Sequence, residues 1–393
     1  IMNAVRRTDV RSQSLDLLRF PLALLVVAVH VFRPFSWLDD NAEAFPVVDW
    51  LIRFVNAFIV DQSVPVYFFI AGYVFFLGMD MSIKSYAGKL RRRCHSLLIP
   101  YLMWNTLAIL YLLKVMLPGM NAVSDFTDTQ QFSLSLSNFI ECYWDSSRGI
   151  IPHVNPNDNG IYPIDTPLWF VRDLMIMVLI TPAMYALYKC PTRAVTKVIL
   201  VAFTLVWAVK IQGLGHLSLL LEAFVFFSWG GFMSYHKRDM IVEFRRYSTV
   251  SFILYPLLAL SILFLTPLWP QTMVYVKSIN VIVGLFFFYN IAAWLVTKRH
   301  CRASSFLASA SFFIYCGHFI ILDPVARRVF SITGTGGDMA VVSAYILTYI
   351  IIIGLLLAIY SIMRRYTPRL LVLFTGGRLC IDSRTKCKKL QSE

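Results

Sequence analysis

Charge is what this chain has least of. Only 15% of its 393 residues are Asp, Glu, Lys or Arg, 58% are hydrophobic and the mean hydropathy is +0.65. That excludes an ordinary soluble domain of this size and leaves an all-α, polytopic membrane protein. Its seven cysteines form no CxxC pair, and no HxxxH pattern appears, so no structural metal is expected. Neither GxxxxGK[ST] nor GxGxxG occurs, which argues against nucleotide-driven transport and a dinucleotide cofactor. A short apolar core followed by a small-residue cleavage site is also lacking near residue 1, so the first apolar run is expected to remain as a membrane span.

Ten spans are expected, at 17–35, 63–77, 97–117, 168–188, 198–212, 217–235, 251–265, 279–296, 306–322 and 340–363. The formal charge of +14 finds its explanation in their order rather than in nucleic-acid binding. The outer segments hold only Arg33, Arg53, Arg148, Lys277, Arg327 and Arg328, while most of the remaining cations fall in alternate, inner segments. This bias places both termini in the cytoplasm. Residues 1–363 then form one transmembrane domain, and 364–393 a basic cytoplasmic tail resting on anionic lipid. Only Cys142 is external, which leaves no extracellular disulfide framework. The outer stretches 36–62 and 119–166 are acidic; the longer is either a lid over an outward-facing site or a solvated connector.

The first span carries Arg19 and His30. Eleven residues turn a helix ~20° past three full turns and advance it ~16 Å, so the two side chains share a face and are separated by about half the hydrocarbon thickness. Ionisable groups so placed face a protein interior or a wet cavity and are candidates for function. Arg172, Glu222 and His318 are further polar groups inside spans. Glu222 is expected to pair with Lys210 or Arg172, or to meet a substrate. Arg172 either pairs with Asp173 or faces a substrate, and His318 either packs in the core or joins a site with Ser311 and Tyr315. His95, His153, His216, His236 and His300 are given no catalytic role.

Four stretches together resemble the acyltransferase-3 family of integral-membrane acyltransferases. They are SLDLLRFPLALLVVAVH, in which Arg19 and His30 reproduce the family's Arg, ten residues, His pattern; YFFIAGYVFF with RRRCHSLLIPYLMWN; PLWFVRDLMIMVLITP; and SFFIYCGH. The chain departs from the pattern at Ala71, where many members have Ser, and at Ser96, where the family's RxxR would place a second arginine after Arg93.

The resemblance implies transfer of an acyl group, most simply acetyl, from cytoplasmic acyl-coenzyme A to a hydroxyl of a surface polysaccharide or lipid-linked sugar, in the inner membrane of a bacterium. On that reading His30 and Arg19 are catalytic, with Asp16 orienting Arg19. Trp169, Arg172, Glu222, Tyr315 and His318 bind the acceptor. Arg91, Arg92 and Arg93 hold the donor's phosphates, or serve only as positive-inside anchors. His30 acts as a general base or carries the acyl group covalently. From a different class, the same polar residues suit a transporter or flippase for an anionic or glycan substrate; an altered relative acting only as a binding partner is a third reading. Either a monomer or a homodimer satisfies the chemistry.

Overall fold

The computed structural model describes residues 2–33, 45–60, 62–79, 82–116, 135–150, 161–190, 192–209 and 216–378. Among them there is no β-strand. In chain order the helices are α1 (Met2–Val31), α2 (Pro46–Val55), α3 (Ser63–Phe76), α4 (Ile83–Arg93), α5 (Ile99–Met116), α6 (Leu136–Glu141), α7 (Trp169–Leu179) and α8 (Thr181–Tyr188). Then follow α9 (Arg193–Ala208), α10 (His216–Tyr235), α11 (Met240–Arg245), α12 (Ser248–Leu265), α13 (Pro270–Lys298), α14 (Ser305–Thr333), α15 (Asp338–Tyr366) and α16 (Pro368–Thr375).

Eight of the described helical segments are long and apolar enough to cross a membrane, and α7 with α8 makes a ninth if that bent pair is one span. A tenth expected span corresponds to α9, whose 16 residues fall short of a full crossing. Several helices outrun the apolar windows that announce them. At 29 residues each, α13, α14 and α15 are ~43 Å long against a ~30 Å hydrocarbon core. The expected outer stretch 36–62 is corrected in its second half, because Pro46–Val55 is helical and a π-turn, Asn56–Val60, leads towards α3. The Asp338 carboxylate accepts from the Val47 and Val48 amides at 3.0 and 3.3 Å and so caps α2 across the fold. The remainder of that stretch, most of the acidic 119–166 loop, Lys210, His153 and residues 379–393 lie outside the described residues.

Local chemistry explains where the elements break. Pro182 removes the amide that the Val178 carbonyl would accept, and the chain bends by 54° between α7 and α8. The Thr181 hydroxyl donates to that carbonyl at 2.7 Å instead. The tightest helix pair is α3 with α10, since a Cβ on Gly72 would stand 2.0 Å from the Phe227 carbonyl oxygen and one on Gly230 2.0 Å from that of Phe69. Small residues let two backbones approach this closely. The hub is α1, which packs against α3, α13, α14 and α15. At the far end of the described residues α16 packs against α5, with Leu371 wholly buried and Leu370, Val372 and Leu373 exposed.

Candidate functional site

His30 is in the last turn of α1 and His318 midway along α14, and the packing of those two helices brings their rings to 5.2 Å between centroids. His318 is completely buried. Its Nδ1 stands 2.7 Å from the Tyr315 carbonyl oxygen. A carbonyl only accepts, so Nδ1 carries the proton and Nε2 presents a lone pair. That Nε2 is buried and, among the described residues, has no hydrogen-bond partner. His30 is half-buried and its ring also meets the edge of Phe319 at 5.4 Å. The pair therefore offers one deeply fixed imidazole beside a more accessible one.

Two groups near this pair were not singled out by the sequence. Arg33 lies within electrostatic reach of both imidazoles and stacks over Phe319 at 5.8 Å. Its spacing of one turn from His30 was the available signal. Asp165 precedes the PLWF stretch and is fully buried, with neither carboxylate oxygen hydrogen-bonded among the described residues. Burial alone pushes its pKa well above the usual carboxylate range. Its charge would act on Tyr101, Tyr315 and Cys316.

A ladder of rings connects the histidines to Arg19. His318 packs on Tyr315 at 6.4 Å, Tyr315 on Phe170 at 6.0 Å, and Phe170 on Tyr67 at 5.8 Å. The Tyr67 hydroxyl donates to the Arg19 carbonyl at 2.7 Å. The Arg19 guanidinium pairs with Asp16 at 2.8 Å, both half-exposed, as their spacing of three residues on a helix allows. Tyr315 was expected to bind substrate, but its hydroxyl donates to the Pro167 carbonyl. It holds the turn before α7 in register with α14.

Arg172 and its neighbours form a second polar cluster. Both Arg172 and Asp173 are buried, and Nε donates to Asp173 Oδ1 at 2.9 Å. Nη1 donates to the Trp144 carbonyl at 2.9 Å, and the guanidinium lies 5.0 Å from the Trp144 ring centre. His216 stands 3.5 Å from the same Asp173 oxygen and within 3.2 Å of Arg172 Nη2. Arg172 thus pairs with Asp173, and among the described residues it is not the partner of Glu222. The Glu222 carboxylate accepts from Trp207 Nε1 at 3.1 Å. His216, given no role from sequence, belongs to this cluster, while Trp169 is half-buried against the core. Of the three consecutive arginines at the end of α4, Arg91 and Arg92 are exposed, whereas Arg93 is partly buried over the Phe75 ring at 6.0 Å. Among the described residues no three His, Cys, Asp or Glu side chains are grouped as metal ligands.

The arrangement can thus accept a proton at an imidazole on one side of the bundle and hold an anion at arginines some ~16 Å along α1. Comparison with known proteins adds the chemistry. The family model described as an acyltransferase domain, of the acyltransferase-3 type, matches residues 12–376, which takes in α16. The chain is also similar to the succinoglycan biosynthesis protein ExoH of Rhizobium meliloti (strain 1021), 26% identical over 381 residues that cover 93% of this chain and 92% of that protein. No solved structure matches.

Proposed function

This chain belongs to the acyltransferase-3 family, and from that premise we propose that it is an inner-membrane O-acyltransferase which moves an acyl group, acetyl in the simplest case, from cytoplasmic acyl-coenzyme A to a hydroxyl of a surface polysaccharide or its lipid-linked precursor. The observation that carries the reading is the His30–His318 pair at 5.2 Å, joined along α1 and the ring ladder to the arginine end. The similarity to a succinoglycan biosynthesis protein supports a polysaccharide acceptor.

In the proposed reaction the His30 imidazole takes the proton of the acceptor hydroxyl. The oxygen attacks the thioester carbonyl, the C–S bond breaks, and the coenzyme leaves as thiolate, to which His30 returns the proton. An imidazole suits this exchange because its unperturbed pKa of ~6.5 lies close to working pH. With Nδ1–H tied to the Tyr315 carbonyl, His318 has one orientation and presents only an acceptor. It positions either the acceptor hydroxyl or the His30 N–H. The Arg33 charge nearby favours the oxyanion of the tetrahedral intermediate. Covalent transfer through His30 is required only where donor and acceptor never meet.

Purified protein given labelled acetyl-coenzyme A provides the test. His30→Ala is expected to lower turnover by ~10²- to 10⁴-fold, the usual contribution of a general base, with an unchanged melting temperature. Wild-type turnover in that variant would refute the assignment, and solute flux without thioester consumption would favour a transporter.

A further inference from the structure

Three guanidinium groups gather at the Arg19 end of the bundle. Arg19 is paired with Asp16 at 2.8 Å. Arg93 lies over Phe75, and Arg378 lies 3.7 Å from the centre of the Phe312 ring with Nη1 donating to the Thr375 carbonyl at 3.1 Å. Among the described residues neither Arg93 nor Arg378 has a carboxylate within ion-pair distance. Arg93 and Arg19 both act electrostatically on Arg378. Burial lowers the Arg378 pKa to about 10; Cys316 opposes this, while Arg93 and Arg19 reinforce it. Cations packed together and partly desolvated, with so little acidic charge among them, are a site that gains from an anion.

Arg378 reaches this position through a built connection. Trp104 Nε1 donates to the Phe374 carbonyl at 3.0 Å, and the two rings meet edge to face at 5.0 Å, fixing α16 against α5. Gly376 then adopts the left-handed conformation, φ 63°, and presses on the π-turn Cys94–Leu98. A Cβ at this glycine would stand 2.6 Å from Ser96 Cα. Glycine alone combines that dihedral with that approach. Two residues later the chain brings Arg378 within electrostatic reach of Arg93 and Arg19, of Cys316 of α14 and of Tyr67 of α3. Tyr67 is the first ring of the ladder that leads to His318 and His30. An anion held here could therefore extend a linear arm along those rings to the reacting centre.

We propose that Arg378, with Arg93 and Arg19, forms a phosphate-binding site for the polyanionic end of the acyl donor, and that 368–378 is a strap which brings the third arginine to it. The proposal rests on the coenzyme A reading of the donor. Guanidinium groups bind phosphate oxygens in bidentate fashion, which suits a pyrophosphate or a terminal phosphate.

The test uses the full chain in nanodiscs of zwitterionic lipid and measures binding of coenzyme A, 3′-dephospho-coenzyme A, pantetheine and pyrophosphate. Arg378→Gln is expected to weaken coenzyme A binding about tenfold or more, to flatten its salt dependence, and to leave pantetheine binding unchanged. Arg378→Lys should recover part of the loss. Gly376→Ala keeps the arginine but displaces the strap, and should weaken coenzyme A in the same way. Wild-type coenzyme A affinity and salt dependence in both Arg378→Gln and Gly376→Ala would overturn the proposal, as would an equal loss for pantetheine. If the wild type binds no coenzyme A, the donor reading fails by itself. Pyrophosphate then decides the site: Arg378-dependent binding retains it, and none overturns it. Arg378-dependent capture of phosphatidylglycerol in mixed nanodiscs, without coenzyme A binding, would assign the cluster to a lipid headgroup and overturn it as a donor site.

Discussion

His318 sets the chemistry available to its neighbour. With Nδ1–H held by the Tyr315 carbonyl, it cannot rotate to offer a different nitrogen without leaving a buried group unpaired. Replacing it should therefore disturb how His30 and the acceptor meet more than how tightly either substrate binds. His318→Ala is expected to lower kcat roughly ten- to a hundredfold, less than loss of the base itself, with little change in KM; steady-state kinetics at saturating donor checks this, and an unchanged kcat would remove His318 from the reaction. Sequence alone showed that Arg19 and His30 share a face of one helix, because an eleven-residue spacing is a property of the helix. It also put Ser311, Tyr315 and His318 in one motif. What it could not show is which long-range partner each polar group takes. Arg172 finds His216, 44 residues away, and Tyr315 finds Pro167, 148 residues away. Nothing in local periodicity encodes either pairing. The Tyr315 hydroxyl satisfies a backbone carbonyl, the commoner use of a buried side-chain donor.

At the level of elements, the α3–α10 contact shows how closely the sequence's small residues are used. Gly72 and Gly230 each face a carbonyl oxygen of the opposite helix, and neither backbone can retreat without breaking its own ladder. Gly72→Leu or Gly230→Leu should prevent the pair from seating, costing more than ~3 kcal/mol as overpacking with backbone displacement does. Loss of the monodisperse peak after detergent extraction reads this out; a normal profile for both variants would contradict it. The motif position before Gly72 is Ala71, half-buried against the core, so the glycine has the structural role there. Hydropathy located the helices but not their ends. Polar residues stop an apolar window without stopping a helix, which is why Ile83–Lys114 is one continuous helical segment where the sequence suggested a charged loop and then a span. The π-turn within it, at Cys94–Leu98, follows Arg93 directly. Ser96, the position at which the family pattern calls for a second arginine, is covered by Gly376, and Arg378 arrives from the other end of the chain.

Across the whole molecule, charge and aromatic rings give the bundle a direction. One end gathers Arg19, Arg93 and Arg378, the other the two histidines and Arg33, and the rings of Tyr67, Phe170 and Tyr315 lie between them. An enzyme that takes its acyl group on one face of a membrane and delivers it on the other needs that polarity, and on the proposed reading the arginine end faces the cytoplasm, the side that the loop charges of the sequence lead one to expect. Sealed inside-out vesicles from cells producing the protein test this most directly, since their envelope glycan is enclosed and the cytoplasmic face is exposed. With labelled acetyl-coenzyme A added outside, the account expects label in the enclosed glycan, resistant to added esterase until the vesicles are opened, and absent when His30→Ala replaces the wild type. Label that stays on the outer face, or that enters the glycan equally in the His30→Ala vesicles, would contradict it.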